Sequence, residues 1–288
     1  MNKTKIFIVG GTGYLGSLLS GYLRPEFEVS TSSRAGGRGR YELDLERPET
    51  LTVLKASGAS ACIICAAITK PDDCYHNPGH SRLINIKNTI ELFKTCMSRG
   101  LWIYYFSSDH VLAGDQNYAG EASKLMPISE YGHQKATVER WLSDHCDQYT
   151  ILRTSKIFCS ENHPGNQLTQ MISALKKKQH ISLAFDQVMT PVFAEDISKA
   201  LSHMIDHPTR GLFHLATEKE YTRLQLGQIL CQDMNLDPDL IRPVSLNQIN
   251  LVEPRPLIGS LSAKKFYDHY GLKMRPVEAF MPKIRAFH

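Results

Sequence analysis

Ile6-Phe7-Ile8-Val9-Gly10-Gly11-Thr12-Gly13-Tyr14-Leu15-Gly16 is an apolar run of strand length that breaks on glycines, and a helical pattern continues from it to Tyr22. Glycines at 10, 13 and 16 permit a tight turn, let the backbone approach a pyrophosphate, and let the next helix pack closely on the strand. The helix N-terminus adds free N–H groups and positive potential. The stretch reads as the first βα turn of a dinucleotide-binding sheet, with Gly10, Gly13, Tyr14, Leu15 and Gly16 around the phosphates.

Outward from this turn, strand-length apolar runs alternate with helical periodicity. Strands are expected at Lys5 to Val9, Phe27 to Thr31, Ala61 to Ala66, Leu101 to Ser107 and Tyr149 to Thr154. Helices are expected at Tyr14 to Tyr22, Pro48 to Ala56, Ser81 to Arg99 and Ser129 to His145. That alternation predicts an α/β fold, a doubly wound parallel sheet of Rossmann type. After Thr154 it weakens, with helices at Gln167 to Lys178, Glu195 to His207 and Thr222 to Met234 and Pro-punctuated chain beyond. Residues 1–154 and 187–216 are assigned to the nucleotide-binding domain, and 155–186 and 217–288 to a smaller substrate-binding lobe.

The second strand should present the residue that meets the adenosine ribose, and a carboxylate there selects NAD. Here Ser32-Ser33-Arg34 ends the strand, with Arg38 and Arg40 behind it. Hydroxyl and guanidinium donors suit a 2′-phosphate, so Ser33 and Arg34 point to NADP in preference to NAD. The glycine-rich Ala35-Gly36-Gly37-Arg38-Gly39 predicts a flexible loop.

Tyr131 and Lys135, after Pro127-Ile128-Ser129-Glu130, stand four apart at the start of a predicted helix. On one helix face the cation can favour phenolate while the phenol passes a proton. Upstream, Tyr104-Tyr105-Phe106-Ser107-Ser108-Asp109 is a strand ending in hydroxyls and a carboxylate, at the sheet edge where such folds bind ligands. Ser108, Tyr131 and Lys135 form the candidate catalytic set, with Asp109 beside them.

With these residues in place, the chain resembles the extended short-chain dehydrogenase/reductases over nearly its whole length, and within them the dTDP-4-dehydrorhamnose reductase branch. Further matching stretches are Asp44-Leu45, Ala66-Ala67, Pro71-Asp72-x-Cys74 with Asn85, Leu152-Arg153-Thr154-Ser155, Asp186-Gln187 with Thr190-Pro191, Ala194-Glu195-Asp196, Gly211-Leu212-Phe213-His214-Leu215, and Arg255-Pro256 with Ser260-x-Ser262. The resemblance implies that Tyr131 protonates a ketone oxygen, Lys135 supports it and Ser108 hydrogen-bonds that oxygen. It implies hydride from NADPH. Asp44, Leu45, Ala66, Ala67, Lys135 and Thr154 would line the cofactor, Thr69, Ser108, Asp109, Lys156, Met189 and Arg255 the substrate, and Arg255 would meet the nucleotide diphosphate.

The departures narrow this. The related dehydratases carry an Asp-Glu pair after the strand-end hydroxyl, where this chain has Asp109-His110, so dehydration is disfavoured. Lys156 stands where the branch carries a tryptophan against the sugar, Met189 replaces a small residue, and Gly259 stands for an asparagine. An altered sugar pocket is expected, with room for a differently substituted or acidic sugar. The resemblance implies an NADPH-dependent reductase of a nucleotide-linked 4-keto-6-deoxy sugar. Two alternatives stay open: a sugar-nucleotide epimerase that retains its cofactor, and a non-catalytic NADP-binding subunit resembling the regulatory subunit of methionine adenosyltransferase, which docks by a tail similar to 282–288.

Composition sets the outer limits. With 42% hydrophobic and 22% charged residues the 288-residue chain is of globular type, and a net charge of +4 without a basic run longer than Lys176-Lys177-Lys178 gives no nucleic-acid footprint. Met1-Asn2-Lys3-Thr4-Lys5 runs straight into the first strand, so no signal peptide or membrane contact is expected and the location is read as cytoplasmic. The 7 cysteines lack framework spacing, and Cys62-x-x-Cys65 lies in a buried-strand pattern. His203 and His207 lack a third ligand, so no metal is expected. The sequence leaves a homodimer open.

Overall fold

The computed structural model describes residues 3–37 and 39–288. β1 (Lys5–Val9), β2 (Glu28–Ser33), β3 (Tyr41–Glu42), β4 (Ala61–Ile64), β5 (Trp102–Ser108) and β6 (Tyr149–Thr154) join the strand Gly211–His214 in one sheet. From the Gly211–His214 edge the order is β6-β5-β4-β1-β2-β3, and every pairing is parallel. The chain runs outward from β1 to β2 and β3, then returns to β4 on its other side. The crevice at the carboxyl ends of β1 and β4 is therefore the topological switch point where such sheets bind ligands.

Both faces of the sheet are covered, which is why its strands read as continuous apolar runs. Ile6, Ile8, Ile63, Tyr104 and Leu152 pack on one face under Leu19 and Leu23 of the helix Tyr14–Leu23 and Ile197 and Leu201 of the helix Ala194–Asp206. Phe7, Val9, Cys62, Ile64, Tyr105 and Ile151 pack on the other, under Leu92, Phe93, Val138 and Leu142. Cys62 thus belongs to the core, and every cysteine is a free thiol. Among the described residues, no helix is long and apolar enough to cross a membrane.

The smaller lobe has its own core, in which Phe158, Leu168, Ile172, Leu226 and Ile284 surround the stacked rings of Phe193 and Phe280, 3.7 Å apart. A three-stranded sheet sets Val188–Met189 between Tyr221–Thr222 and Ile258–Gly259. Residues 188–189, expected in the larger domain, thus pair with strands of the smaller lobe. Phe266, Tyr270 and Met274, expected in the smaller lobe, return to the core beneath the central sheet.

Several boundaries differ from expectation. β2 extends to Ser33, and β4 ends at Ile64 instead of Ala66. The long helix expected over 81–99 is instead Pro71–His76, Pro78–Arg82, a π-helical turn at Leu83–Asn88, and Thr89–Met97. Asn77 caps the second piece by accepting from the His80 N–H. Within the wide turn Asn85 binds both backbone groups of Ile68, each at 2.8 Å, and donates to Gln134 at 2.7 Å. It thereby pins the loop after β4 to the helix that carries Tyr131.

Candidate active site

The glycine turn is enforced by close approach. Gly10 has φ 85°, and a β-carbon on it would meet Ala66 N at 2.8 Å, while one on Gly16 would meet Gly10 O at 2.3 Å. Gly13 opens the helix Tyr14–Leu23, whose end has no side-chain cap and no acidic residue in its first turn. Its leading N–H groups and dipole are left for an anion, as a pyrophosphate requires. Tyr14 and Leu15 form that first turn, and Ala66, two residues past the end of β4 and followed by Ala67, lies against Gly10.

At the ribose edge the picture shifts from Ser33 to the arginines. Ser33 Oγ donates to Gly36 O at 3.1 Å, so its proton is committed within the turn. The neighbouring Ser32 is buried and accepts from the Gly10 N–H at 3.3 Å. Arg34 is exposed and its guanidinium makes no ion pair with a described residue. Glu42, beside Ser33 on β3, is neutralised by Arg47 at 2.5 Å, and Arg47 also donates to Arg34 O. Arg40 closes a turn with Gly37, and Arg38 lies outside the described residues. Asp44 is taken up by the Glu46 N–H and Arg47, and Leu45 is buried in the sheet's core.

Ser108, Tyr131 and Lys135 come together at the end of β5. Ser129 Oγ accepts from Gly132 N at 3.1 Å, capping the helix Glu130–His145, and Arg82 grips Glu130 with two bonds at 2.7 and 2.8 Å. That fixes the first turn and Tyr131 with it. Tyr131 is buried, and burial above all, then the charge of Asp109, pushes its phenol well up, while the Ser108 hydroxyl pulls the other way. Lys135 donates to Phe106 O at 2.8 Å and lies over the Tyr105 ring at 4.5 Å and the Tyr131 ring at 5.9 Å. Burial lowers its pKa to about 8, opposed by Glu139 one turn on. Thr154 is buried opposite Ser108 on β6. His110 packs edge-on to Tyr131 at 5.5 Å and is held toward neutrality, chiefly by burial.

Next to this set, Asp109 anchors a second cluster. Its Oδ1 accepts from Ser108 Oγ at 2.8 Å, and its Oδ2 fills the space beside Gly259. Lys156 is partly buried, its pKa lowered to about 8 by burial first and Arg223 next, with Asp109 opposing. Arg223 was not found from the sequence. Its position after Thr222, the cap of the helix Arg223–Met234, looks like an ordinary helix start, and only the fold brings it near Asp109. Arg255 is paired with Asp72 at 2.6 Å and donates to Glu253 O. Met189, expected at the sugar, is instead buried in the smaller lobe's core, an apolar side chain on the packed face of its strand. Thr69 is exposed after β4 and makes no side-chain hydrogen bond with a described residue.

Residues 4–285 match the family model of the RmlD substrate binding domain. The chain belongs to this family. The probable low-salt glycan biosynthesis reductase Agl14 of Haloferax volcanii is 23% identical, over 97% of each chain. The dTDP-4-dehydrorhamnose reductase of Escherichia coli is 24% identical, over 93% of this chain and 92% of that one. A solved dTDP-4-dehydrorhamnose reductase from Bacillus anthracis, in complex with NADP, superposes with a TM-score of 0.89 at 22% identity, covering 99% of this chain and 98% of that one. At that identity the superposition establishes the shared fold, a Rossmann-type sheet with its attached lobe.

Proposed function

We propose that this member of the RmlD substrate binding domain family reduces the carbonyl of a nucleotide-linked 4-keto sugar, of the 4-keto-6-deoxy class, to the alcohol. The observation that carries the reading is the convergence of Ser108, Tyr131 and Lys135 at the end of β5, beside the open glycine turn of β1. The names of the relatives, keto-sugar and glycan-biosynthesis reductases among them, agree with it.

NADPH, when bound, supplies the hydride. The uncapped helix end after Gly13 would hold its pyrophosphate, and Arg34 its 2′-phosphate. Tyr131, with its pKa raised, keeps its proton at neutral pH and can release it to the oxygen that becomes the alcohol. Ser108, whose proton Asp109 holds in the free protein, would turn it to the same oxygen once substrate arrives, and Lys135 sets the field around the phenol. This chemistry belongs in the cytoplasm, where nucleotide sugars and NADPH are made.

The test is NADPH oxidation against a panel of nucleotide-linked 4-keto sugars. Stoichiometric oxidation with alcohol formation is expected, and Tyr131→Phe should lose roughly 10²–10⁴-fold in turnover while still binding NADP. Isomerised product with no net oxidation would instead make the protein an epimerase, and binding without turnover a cofactor-holding subunit.

A further inference from the structure

Beside Asp109 the fold gathers more positive charge than the protein neutralises. Arg223 reaches the site from the three-stranded sheet, where Thr222 pairs with Val188 and Gly259 with Met189. Its Nε donates to Gln187 and its Nη1 to Gln167 at 2.8 Å, both neutral amide oxygens. These bonds aim the guanidinium without cancelling its charge, and Nη2 has no acceptor among the described residues. Lys156 follows Ser155, whose Oγ stands 3.5 Å from where a β-carbon on Gly259 would lie, the same point that Asp109 Oδ2 approaches, and it likewise makes no ion pair or side-chain hydrogen bond with a described residue. Arg255 differs, since Asp72 takes its charge.

Asp109 is the carboxylate whose field supports both Lys156 and Arg223. One carboxylate facing two partly buried cations leaves an excess positive charge, which is costly away from water unless an anion arrives. Asp109 is also hydrogen-bonded to Ser108, the hydroxyl beside the Tyr131 phenol. The excess charge therefore borders the reacting end of the site.

We propose that Lys156 and Arg223 recognise a carboxylate on the sugar ring, in place of the methyl group of a plain 6-deoxy sugar. The proposal rests on the reductase reading and names its substrate class. Arg223 offers its remaining N–H groups to one carboxylate oxygen and Lys156 its ammonium to the other, while Asp109 keeps the two cations from repelling each other. A neutral sugar would leave both cations desolvated and unpaired, so selectivity follows from the penalty as much as from the attraction.

The same cations could serve the nucleotide diphosphate, and calorimetry on the NADP-loaded protein at neutral pH separates the two anions. The probes are nucleoside-diphosphate glucuronic acid, the corresponding glucose compound and the free nucleoside diphosphate, in thymidine and uridine forms. The uronate is expected to bind at least about tenfold more tightly than the glucose compound. Lys156→Met and Arg223→Gln should each abolish that preference and leave nucleoside diphosphate binding unchanged, which also reports that the variants fold. Lys156→Arg, which keeps the charge, should retain it. Equal binding of uronate and glucose compounds by the unaltered protein overturns the proposal. So does a loss of nucleoside diphosphate affinity in both variants that matches the loss for the uronate, which would make the cations a diphosphate site. If no probe binds in any form, the reductase reading falls and this inference with it.

Discussion

The carboxylate of Asp109 occupies the space that a side chain at Gly259 would need, because a β-carbon there would stand 2.2 Å from Asp109 Oδ2. The glycine is thus a condition for where Asp109 lies, and Asp109 in turn holds Ser108 by a 2.8 Å hydrogen bond. The atom in the way is the far end of a side chain, so Gly259→Ala should be absorbed by rotating Asp109. Stability is expected to change by less than about 1 kcal/mol. Turnover should fall roughly 10- to 100-fold, since Ser108 loses its acceptor and the site its geometry. Thermal melts and kcat/KM on one preparation check both, and unaltered kcat/KM would show that Asp109 has no positioning role.

The proposed preference for NADP turns on Arg34, because Ser33 has its proton committed to Gly36 O and Glu42 is neutralised by Arg47. Arg34→Ala should weaken NADPH by about tenfold and leave NADH nearly unchanged, as expected for a lost guanidinium contact to phosphate. Calorimetric titration with both cofactors measures it. Equal losses for the two would assign Arg34 a structural part and return the selection to Arg40 and Arg47.

The sheet was legible in the sequence because parallel strands buried on both faces leave unbroken apolar runs, as Ile6-Phe7-Ile8-Val9 does. Tyr131 and Lys135 were legible because a helix brings residues four apart onto one face. The broken helix over 71–97 was not, since periodicity does not reveal that Asn85 will turn inward to bind Ile68. Arg223 left no mark as a site residue, and Gly259 was marked only by its departure from the asparagine of the family the chain resembles, for a different reason. They are brought to Asp109 by two-residue strands, Tyr221–Thr222 and Ile258–Gly259, too short to leave any periodic trace. Met189 misled because its place in the motif order suggested the sugar, whereas its side chain faces the smaller lobe's core.

Lys135 has a pKa lowered to about 8 by burial, so its charge is present below that pH and lost above it. If the ammonium supports the phenol, kcat/KM for NADPH should fall on the alkaline side with a midpoint near 8, far below that of an ordinary lysine. Lys135→Arg keeps its charge at every accessible pH, so its residual activity should lack that limb. A limb at the same pH in the arginine variant would assign the titration to another group.

The last expectation concerns the pair behind Lys135. Glu139 follows it by one helical turn and binds Arg153 with two bonds, at 2.9 and 2.6 Å, with both side chains buried. Arg153 also lies 3.4 Å from His214 Nε2, a ring whose pKa burial and Arg153 together lower to about 3, so no second anion stands ready to replace Glu139. Glu139→Gln should therefore strand a buried guanidinium and cost about 3–5 kcal/mol, whereas Glu139→Gln with Arg153→Met should recover much of the loss. Activity carries a second signature. Glu139 favours the charged form of Lys135, so removing its charge should move the alkaline limb of kcat/KM to lower pH. Denaturant melts of the single and double variants, with pH profiles of each, separate the two roles. A single variant destabilised by less than about 1 kcal/mol would mean that Arg153 finds water or His214 instead, and an unmoved limb would confine the pair to holding the helix on β6.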